Sequence, residues 1–487
     1  MQSKRDLVQA HMFVMGRLTG GMLRGDPDAS ESPVGRTNRG LVWGTALGAV
    51  LVVGFLLFGM ISPSGTKAWR QDSTLIVQKD TGTRYLYVDG ALRPIRNYAS
   101  AKLLTADRLK TAQVSAAALA GERHGTPVGI PGAPDALPSP TDLEQDLWQV
   151  CASEPVRTAG EDAARRPLTS LRVGVPAAGA APAAGQAVLV QAPDGRRHLL
   201  WGDRRLRLGE HGAAQALGYA GAPALTVSAA FLDSVPAGPD LSAPEVPDRG
   251  SAGPAIGSGP SRVGQVYALA SPGVAPQHYL LERTGLRPLS VLAAALVLGD
   301  ERTAKQAYPG ASPTVLPLTA TQLTQHQATA AVQDPAAWPA RVPAVRAPGR
   351  GTSVCAQIQP GGAAPRVGIT LVPMGPGPAA PASGPDIAPA CLAVDTLTVR
   401  PGGGALVQAL GAGGSVIGTT TYLVTDVGVK YRVPDATSLE RLGLKGGRAQ
   451  AVPSRLLDML PTGPVLDAAA ARGEGAARPD TGGCRQG

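Results

Sequence analysis

The sequence predicts an α+β, single-pass membrane protein. Its β-rich extracytoplasmic core is duplicated about a pseudo-two-fold axis and carries four small β-hairpin/helix repeats. Three observations lead there. An uncharged run, LVWGTALGAVLVVGFLLFGMI, occupies Leu41 to Ile61, and at about 1.5 Å per residue it is long enough to cross a hydrocarbon layer roughly 30 Å thick. A strand, turn, strand, helix pattern then recurs four times. The segment Val-Cys-Ala stands once in each half of the chain beyond the span, at Val150 to Ala152 and at Val354 to Ala356.

Residues 1–40 form a tail ahead of the span. Ser3-Lys4-Arg5-Asp6 has the form of a capping box. Leu7, Val8, Met12, Met15, Leu18 and Met22 recur at helical spacing, which predicts a Met-rich amphipathic helix. Such a helix beside a membrane either lies in the interface or docks on a partner. Its polar face, with Lys4, Arg5, Asp6, Gln9 and Arg17, is only modestly cationic, which favours the partner. The span 41–61 begins too deep for an ordinary cleaved signal, and Ser62 to Gly65 offers no small-residue cleavage site, so it reads as a retained anchor. Arg24, Arg36 and Arg39 before it balance Lys67, Arg70 and Lys79 after it. Flanking charge therefore sets no orientation, and the placement of the cysteines favours a cytoplasmic tail with an external body.

The body has room for two or three domains at about 100–200 residues each. Repeat 1 (70–123) carries TLIVQ, YLYVDG and ALRPI; repeat 2 (187–242) carries VLVQ, HLLWGD and RRLRL. Repeat 3 (263–303) carries VYALA, YLLE and TGLRPLS, and repeat 4 (401–467) carries LVQAL, YLVTD and VGVKYRV. Each predicts a hairpin or meander with a helix on one face, and the Asp-Gly and Thr-Gly pairs suit tight turns because glycine tolerates positive φ. The helical ends repeat too: VSAAFLDSVPAGPDL at 227–241 matches VPSRLLDMLPTGPVL at 452–466, with VSAAALAG at 114–121 a weaker copy. Two core halves lie between the repeats, at 142–186 and 304–400. In each, Val-Cys-Ala is followed by Arg-Val-Gly, beginning at Arg172 and Arg366. A Gly/Pro/Ser-rich linker, 243–262, joins the halves, and 468–487 reads as a mobile tail apart from what Cys484 ties down. Two such halves pack about a pseudo-two-fold axis with the units projecting outward.

Cys151 and Cys355 occupy equivalent positions of the two halves, and equivalent positions meet only at the axis, so the duplication selects their pairing from three connectivities. Cys391 and Cys484 are left to pair with each other. The alternative is free thiols in a cytoplasmic body. No Cys/His group has metal spacing.

The net charge of +9 comes mostly from arginine, with no dense basic run or basic helix interleaved with aromatics, so nucleic acid is not the expected partner. The composition suits an envelope protein facing anionic lipid and wall polymers. The chain has no GxxxxGK followed by Ser or Thr, whose amides would cradle phosphates, and no GxSxG, HExxH or paired-carboxylate motif. GLKGGR at Gly443 to Arg448 has the glycines and lysine in the wrong order. The histidines are scattered, and His198 and His278 fall at strand positions, where packing explains them. The sequence predicts no cofactor and no catalytic residue.

The SKRDLVQAHMF helix, the DPDASESPVGR stretch, the YLYVDGALRPI hairpin, the four repeats and the two Val-Cys-Ala segments together resemble the EccB family, the single-pass membrane component of actinobacterial type VII (ESX) secretion systems. The resemblance covers essentially the whole chain. It implies a structural subunit of a secretion channel in the plasma membrane, whose tail contacts an FtsK-like motor ATPase, a multi-span channel protein and other membrane components. It also implies repeats surrounding a β-rich core that the Cys151–Cys355 bond joins. Family members are labelled ATPases. The competing class is a membrane-tethered envelope hydrolase or wall-binding protein acting alone.

Overall fold

The computed structural model describes residues 4–25, 33–61, 69–145, 147–154, 167–175, 178–257, 259–328, 335–361, 365–373, 377–381, 383–411, 414–474 and 484. Two helices come first, Lys4–Arg24 and Pro33–Ile61. Ser3, the proposed cap, lies outside the described residues. The second helix starts eight residues before Leu41, with proline at its first position, where the missing N–H has no intrahelical acceptor to lose. Its stretch Thr37–Leu57 is long and apolar enough to cross a membrane.

The rest is a mixed α+β body with five small sheets among the described residues. The central one orders its strands Arg366–Pro373, Thr352–Gln359, Trp148–Ser153, Leu168–Val173, Thr396–Val399, antiparallel except for the last pair. Alternation assigns its two faces. Trp148, Val150, Ala152, Leu171, Val354, Ala356 and Ile358 form one, all fully buried. Gln149, Cys151, Ser170, Ser353, Cys355 and Thr370 lie on the other. The apolar face packs against the helices Ala229–Ser234 and Ser454–Leu457, through Phe231 and Leu456. Burying a side chain of that size contributes about 1.5–3 kcal/mol. At the middle of the sheet Cys151 faces Cys355, flanked by Val150 facing Ala356 and Ala152 facing Val354, a register that reads the same from either strand.

The other four sheets share one strand order, third, second, first, fourth. In repeat 1 these are Thr74–Gln78, Arg84–Val88, Ala91–Pro94 and Lys110–Val114. In repeat 2 they are Gln186–Gln191, Arg197–Trp201, Arg204–Arg207 and Leu225–Thr226. Repeat 3 uses Val266–Ser271, Val274–Glu282, Gly285–Leu289 and Leu316–Leu318; repeat 4 uses Gly404–Leu410, Val416–Thr425, Lys430–Val433 and Gln450–Pro453. The first three strands form an antiparallel meander. In repeat 1 the second hairpin closes on Asp89 and Gly90, both at positive φ. The fourth strand pairs parallel to the first in every repeat, so a helix must cross over between them.

Those crossover helices are Tyr98–Thr105, Ala213–Ala216, Val291–Gly299 and Ala436–Arg441. Asn97, Ser290 and Asp435 cap three of them, each side chain accepting a backbone N–H three residues on. The four-residue helix of repeat 2 has Gly212 at its cap instead, with φ of 87° and no side-chain bond.

The fourth strand corrects the sequence reading, whose pattern ended at a meander and a helix. At two to five residues these strands are too short to show alternation. Repeat 3 therefore runs past 303, through Leu316–Leu318 and the helix Ala320–His326, whose Thr319 and Gln322 form a capping box. Arg-Val-Gly is a second correction. Cys151 pairs Ser170 and Cys355 pairs Thr370, which makes Leu171 and Leu371 correspond, whereas Arg172 pairs Gln149 beside the centre and Arg366 pairs Gln359 at the strand end. The two Arg-Val-Gly segments thus occupy unrelated places in the ladder.

Repeat 1 packs on repeat 4 and repeat 2 on repeat 3. Ala99, Leu103 and Ile130 share a core with Leu406, Leu423, Tyr431, Leu466, Ala470 and Ala471. Leu189, Leu199 and Leu206 share one with Leu292 and Leu296. The second contact is close: a Cβ on Gly299 would lie 2.1 Å from the Ala216 Cβ. The stretch from Ala468, read as a mobile tail, begins instead with a helix, Ala468–Arg472, packed on Tyr98–Thr105 with Ala470 and Ala471 buried.

Candidate functional site

The residues with most to do are those at seams. The linker after repeat 1 crosses to repeat 4, where Leu143 bridges Gly404 in parallel and the Glu144 N–H donates to Gly404 O at 2.7 Å. Arg400 donates to the Glu144 carboxylate, Gln450 donates to Glu144 O, and Gln145 Nε2 donates to Arg448 O at 3.0 Å. The linker after repeat 3 crosses to repeat 2 in the same way. Ala344–Val345 pairs parallel with Gln186 and Ala187, and Tyr219 donates its hydroxyl to Pro343 O at 2.7 Å. Burial pushes the Tyr219 pKa up to about 12, so the phenol stays protonated and keeps that bond at any physiological pH. Each linker thus adds to the sheet of a repeat distant in sequence, by main-chain pairing that does not depend on side-chain identity.

The Cys151–Cys355 disulfide, 204 residues apart in sequence, closes the central seam and is shut from water at 1% and 0% exposure. The buried hydroxyls of Ser170 and Thr370 stand in the same transverse row, without hydrogen-bond partners. The Cys391–Cys484 disulfide joins two exposed residues.

Leu7, Val8, Met12, Met15, Leu18 and Met22 fall on one arc of the helix Lys4–Arg24, about 140° wide at roughly 100° per residue. Every one is more than half exposed, from Met15 at 52% to Met22 at 86%, and Phe13 stands on the other side at 69%. Among the described residues none of the six belongs to a hydrophobic core of the body.

Chemistry that the sequence did not disclose lies where the linker 243–262 meets repeat 3. The side chains of Arg249 and Asp300, 5% and 1% exposed, pair at 3.1 Å; Arg249 also donates to Thr303 Oγ1 at 2.6 Å, and Arg302 pairs Asp300 at 2.8 Å. Burial pushes the Asp300 carboxyl up, but hydrogen bonds from Arg302 and Arg249 outweigh it and hold the pKa below the ordinary 3.8. Asp300 also caps the helix Glu301–Gln306, which local sequence could show; its partner Arg249 is 51 residues away, which it could not. Nearby is an open cleft of about 450 Å³ lined by Glu245, Asp248, Glu282, Arg283, Arg287 and Trp338. Its charges pair among themselves, Arg283 with Asp248 at 3.0 Å and Arg287 with Glu282 at 2.6 Å, which leaves no cationic wall for a polyphosphate.

His198 and His278 are strand residues with a buried, unpartnered Nδ1. Burial lowers the pKa of both, helped at His198 by Arg205. Among the described residues no group of three or more His, Cys, Asp or Glu is placed to hold a metal ion.

Residues 1–478 match the family model described as type VII secretion system ESX-1, transport TM domain B. The chain is 26% identical to the ESX-3 secretion system ATPase EccB3 of Mycolicibacterium smegmatis, covering 96% of this chain and 90% of the relative. It is 28% identical to the protein of the same name from Mycobacterium tuberculosis, covering 63% of this chain; the chain spans 58% of that relative's length. Its fold is similar to a chain in the structure of an intact ESX-5 inner membrane complex, with TM-score 0.63 and 24% identity over 97% of this chain and 95% of that one.

Proposed function

The chain belongs to the EccB family of type VII (ESX) secretion components, and from that premise we propose that it is a structural membrane subunit of a type VII secretion channel. The observation that carries this reading is the extent of the family match, which takes in the tail helix, the apolar span and all five sheets. In this reading Thr37–Leu57 crosses the plasma membrane once, with the tail in the cytoplasm and the body outside. Two disulfides suit an oxidising compartment. The body is a duplication, its halves related by a two-fold axis through the Cys151–Cys355 pair, which the symmetric register and the reciprocal linkers support.

The tail helix is the docking element. Its six exposed apolar side chains gain by leaving water, and their partners are the FtsK-like motor ATPase, the multi-span channel protein and the other membrane components. The relatives' names contain the word ATPase; with no phosphate loop in this sequence, nucleotide hydrolysis is assigned here to the motor partner. Co-purification from membranes tests the scheme. Met15→Asp is expected to lower recovery of motor and channel subunits while the chain stays in the membrane fraction. Undiminished recovery would move the contact to the span or the body, and recovery of the wild-type chain without any such subunits would remove the scheme.

A further inference from the structure

We propose that the Cys391–Cys484 disulfide is a redox clasp on the seam between repeats 1 and 4, opened by exchange with an external dithiol and, when open, loosening the seam at which repeat 1 packs on the body. The proposal requires the body to lie in an oxidising compartment and is otherwise independent of the complex the chain joins.

Three observations place the clasp on that seam. Its fixed end is anchored in the body: Ala388 exchanges two main-chain hydrogen bonds with Thr462, at 2.8 and 3.0 Å, and the Leu392 N–H donates to Asp458 O at 2.9 Å. The same segment touches the connection leaving repeat 1, where a Cβ on Gly132 would lie 2.5 Å from the Asp386 Cβ. The other end, Cys484, follows the helix Ala468–Arg472, which is itself the wedge between the two repeats. Ala470 and Ala471 are buried against Ala99, Leu103 and Ile130, and the Gly129 N–H donates to Ala471 O at 3.1 Å. The wedge is slight. It offers two alanines, and its own turn of helix is too short to persist alone. A covalent bond beyond it raises its effective concentration on repeat 1, as a tether does for any weak contact.

Access separates this bond from the other. Exchange needs a thiolate to reach a sulfur; Cys391 and Cys484 are exposed, whereas Cys151 and Cys355 are 1% and 0% exposed beneath a buried sheet face. In the exchange, one reagent thiolate attacks a sulfur of the clasp and forms a mixed disulfide. The released cysteine thiolate takes a proton from water, and the reagent's second thiolate then displaces the other cysteine. Two electrons pass from dithiol to protein, leaving a reagent disulfide and two cysteine thiols. Repeat 1 is the module next to the membrane helix in sequence, with Trp69 already in its core. Opening the clasp therefore loosens the joint between the membrane anchor and the body.

The test uses the full-length protein in detergent micelles, titrated with dithiothreitol, alkylated and peptide-mapped, with hydrogen exchange read at each step. The Cys391–Cys484 linkage is expected to open at reagent concentrations that leave Cys151–Cys355 intact. Amides of 98–105, 128–131 and 466–473 should then exchange about tenfold faster or more, while the strands 148–153 and 352–359 stay protected. The variant Cys391→Ser/Cys484→Ser should show the same loosened pattern without reagent. Equal reducibility of the two bonds would overturn the proposal, as would unchanged exchange at the seam once the clasp is open.

Discussion

At the central seam, Cys151 and Cys355 meet inside a five-residue antiparallel ladder, buried and backed by two helices. At the seam between repeats 1 and 4, Cys391 and Cys484 meet in water, beyond a five-residue helix that buries two alanines. One bond is redundant with the packing around it on the folded side and acts chiefly by restricting the unfolded chain; the other reinforces the small two-alanine contact of the helix Ala468–Arg472. Burial thus decides what a disulfide does. Surrounded by core it is inaccessible and structural, and on an exposed seam it is open to exchange and holds a movable module.

The largest effect that would sharpen this contrast is expected at the centre. Cys151→Ser/Cys355→Ser removes a closed loop of 204 residues, for which the chain-entropy view expects a loss of about 5 kcal/mol. Denaturant unfolding of the body measures it. A midpoint unchanged from wild type would show that the ladder and its helices hold the halves alone, and the contrast would fall.

Next is Leu103→Ala, which empties a fully buried position at the repeat 1 and repeat 4 seam. It should cost about 2–4 kcal/mol and hasten tryptic release of repeat 1, with the central disulfide still formed. Gly299→Ala acts at the opposite seam, between repeats 2 and 3. Its Cβ would meet the Ala216 Cβ at 2.1 Å, and separating the two helices should cost about 1–3 kcal/mol. If the two halves use their seams alike, unfolding of this variant begins in repeats 2 and 3 and spares repeat 1, which hydrogen exchange would show.

The smallest effect comes from pH and also divides the seams. His198 and His278 lie in repeats 2 and 3, and both are held neutral by burial, with folded pKa values below 6.5. Above pH 6.5 they contribute fully. As pH falls below it the unfolded chain takes up protons first, so stability declines towards the depressed folded values. Asp300, also in repeat 3 and held below 3.8, extends the loss only at still lower pH. Mild acid should therefore loosen repeats 2 and 3 before repeats 1 and 4. His198→Asn should flatten the slope between pH 7 and 5, and an unchanged slope would remove His198 from the account.

Much of the local structure was legible. The charge-free run from Leu41 lies within a helix long and apolar enough to span a membrane, because that property depends on composition over consecutive residues. The meanders announced themselves through alternation and Asp-Gly turns, and the six apolar residues of the tail through their spacing. The fourth strands did not, since Leu225–Thr226 and Leu316–Leu318 are too short to carry a period. Arg-Val-Gly misled because a three-residue match says nothing about which ladder position it fills. Arg249 and Asp300 are separated by 51 residues and share no motif.

By itself, then, the sequence determined what is decided within a turn or a strand: the apolar helix, the stripe on the tail, the three-stranded meanders, and two cysteines at matching places in two matching segments. Only the tertiary structure decided the order of packing, with repeat 1 on repeat 4, repeat 2 on repeat 3, each linker paired to the sheet of a repeat distant in sequence, and the helix at Ala468 wedged against Ala99 and Leu103. The physical reason is that an amphipathic element specifies that one face must be buried but not against what. Many apolar faces of similar size are available in a chain of four alike repeats, and the choice among them rests on cores shared by residues hundreds of positions apart, such as the one that holds both Leu103 and Leu466, or on fits so close that a Cβ added to Gly299 would lie 2.1 Å from the Ala216 Cβ.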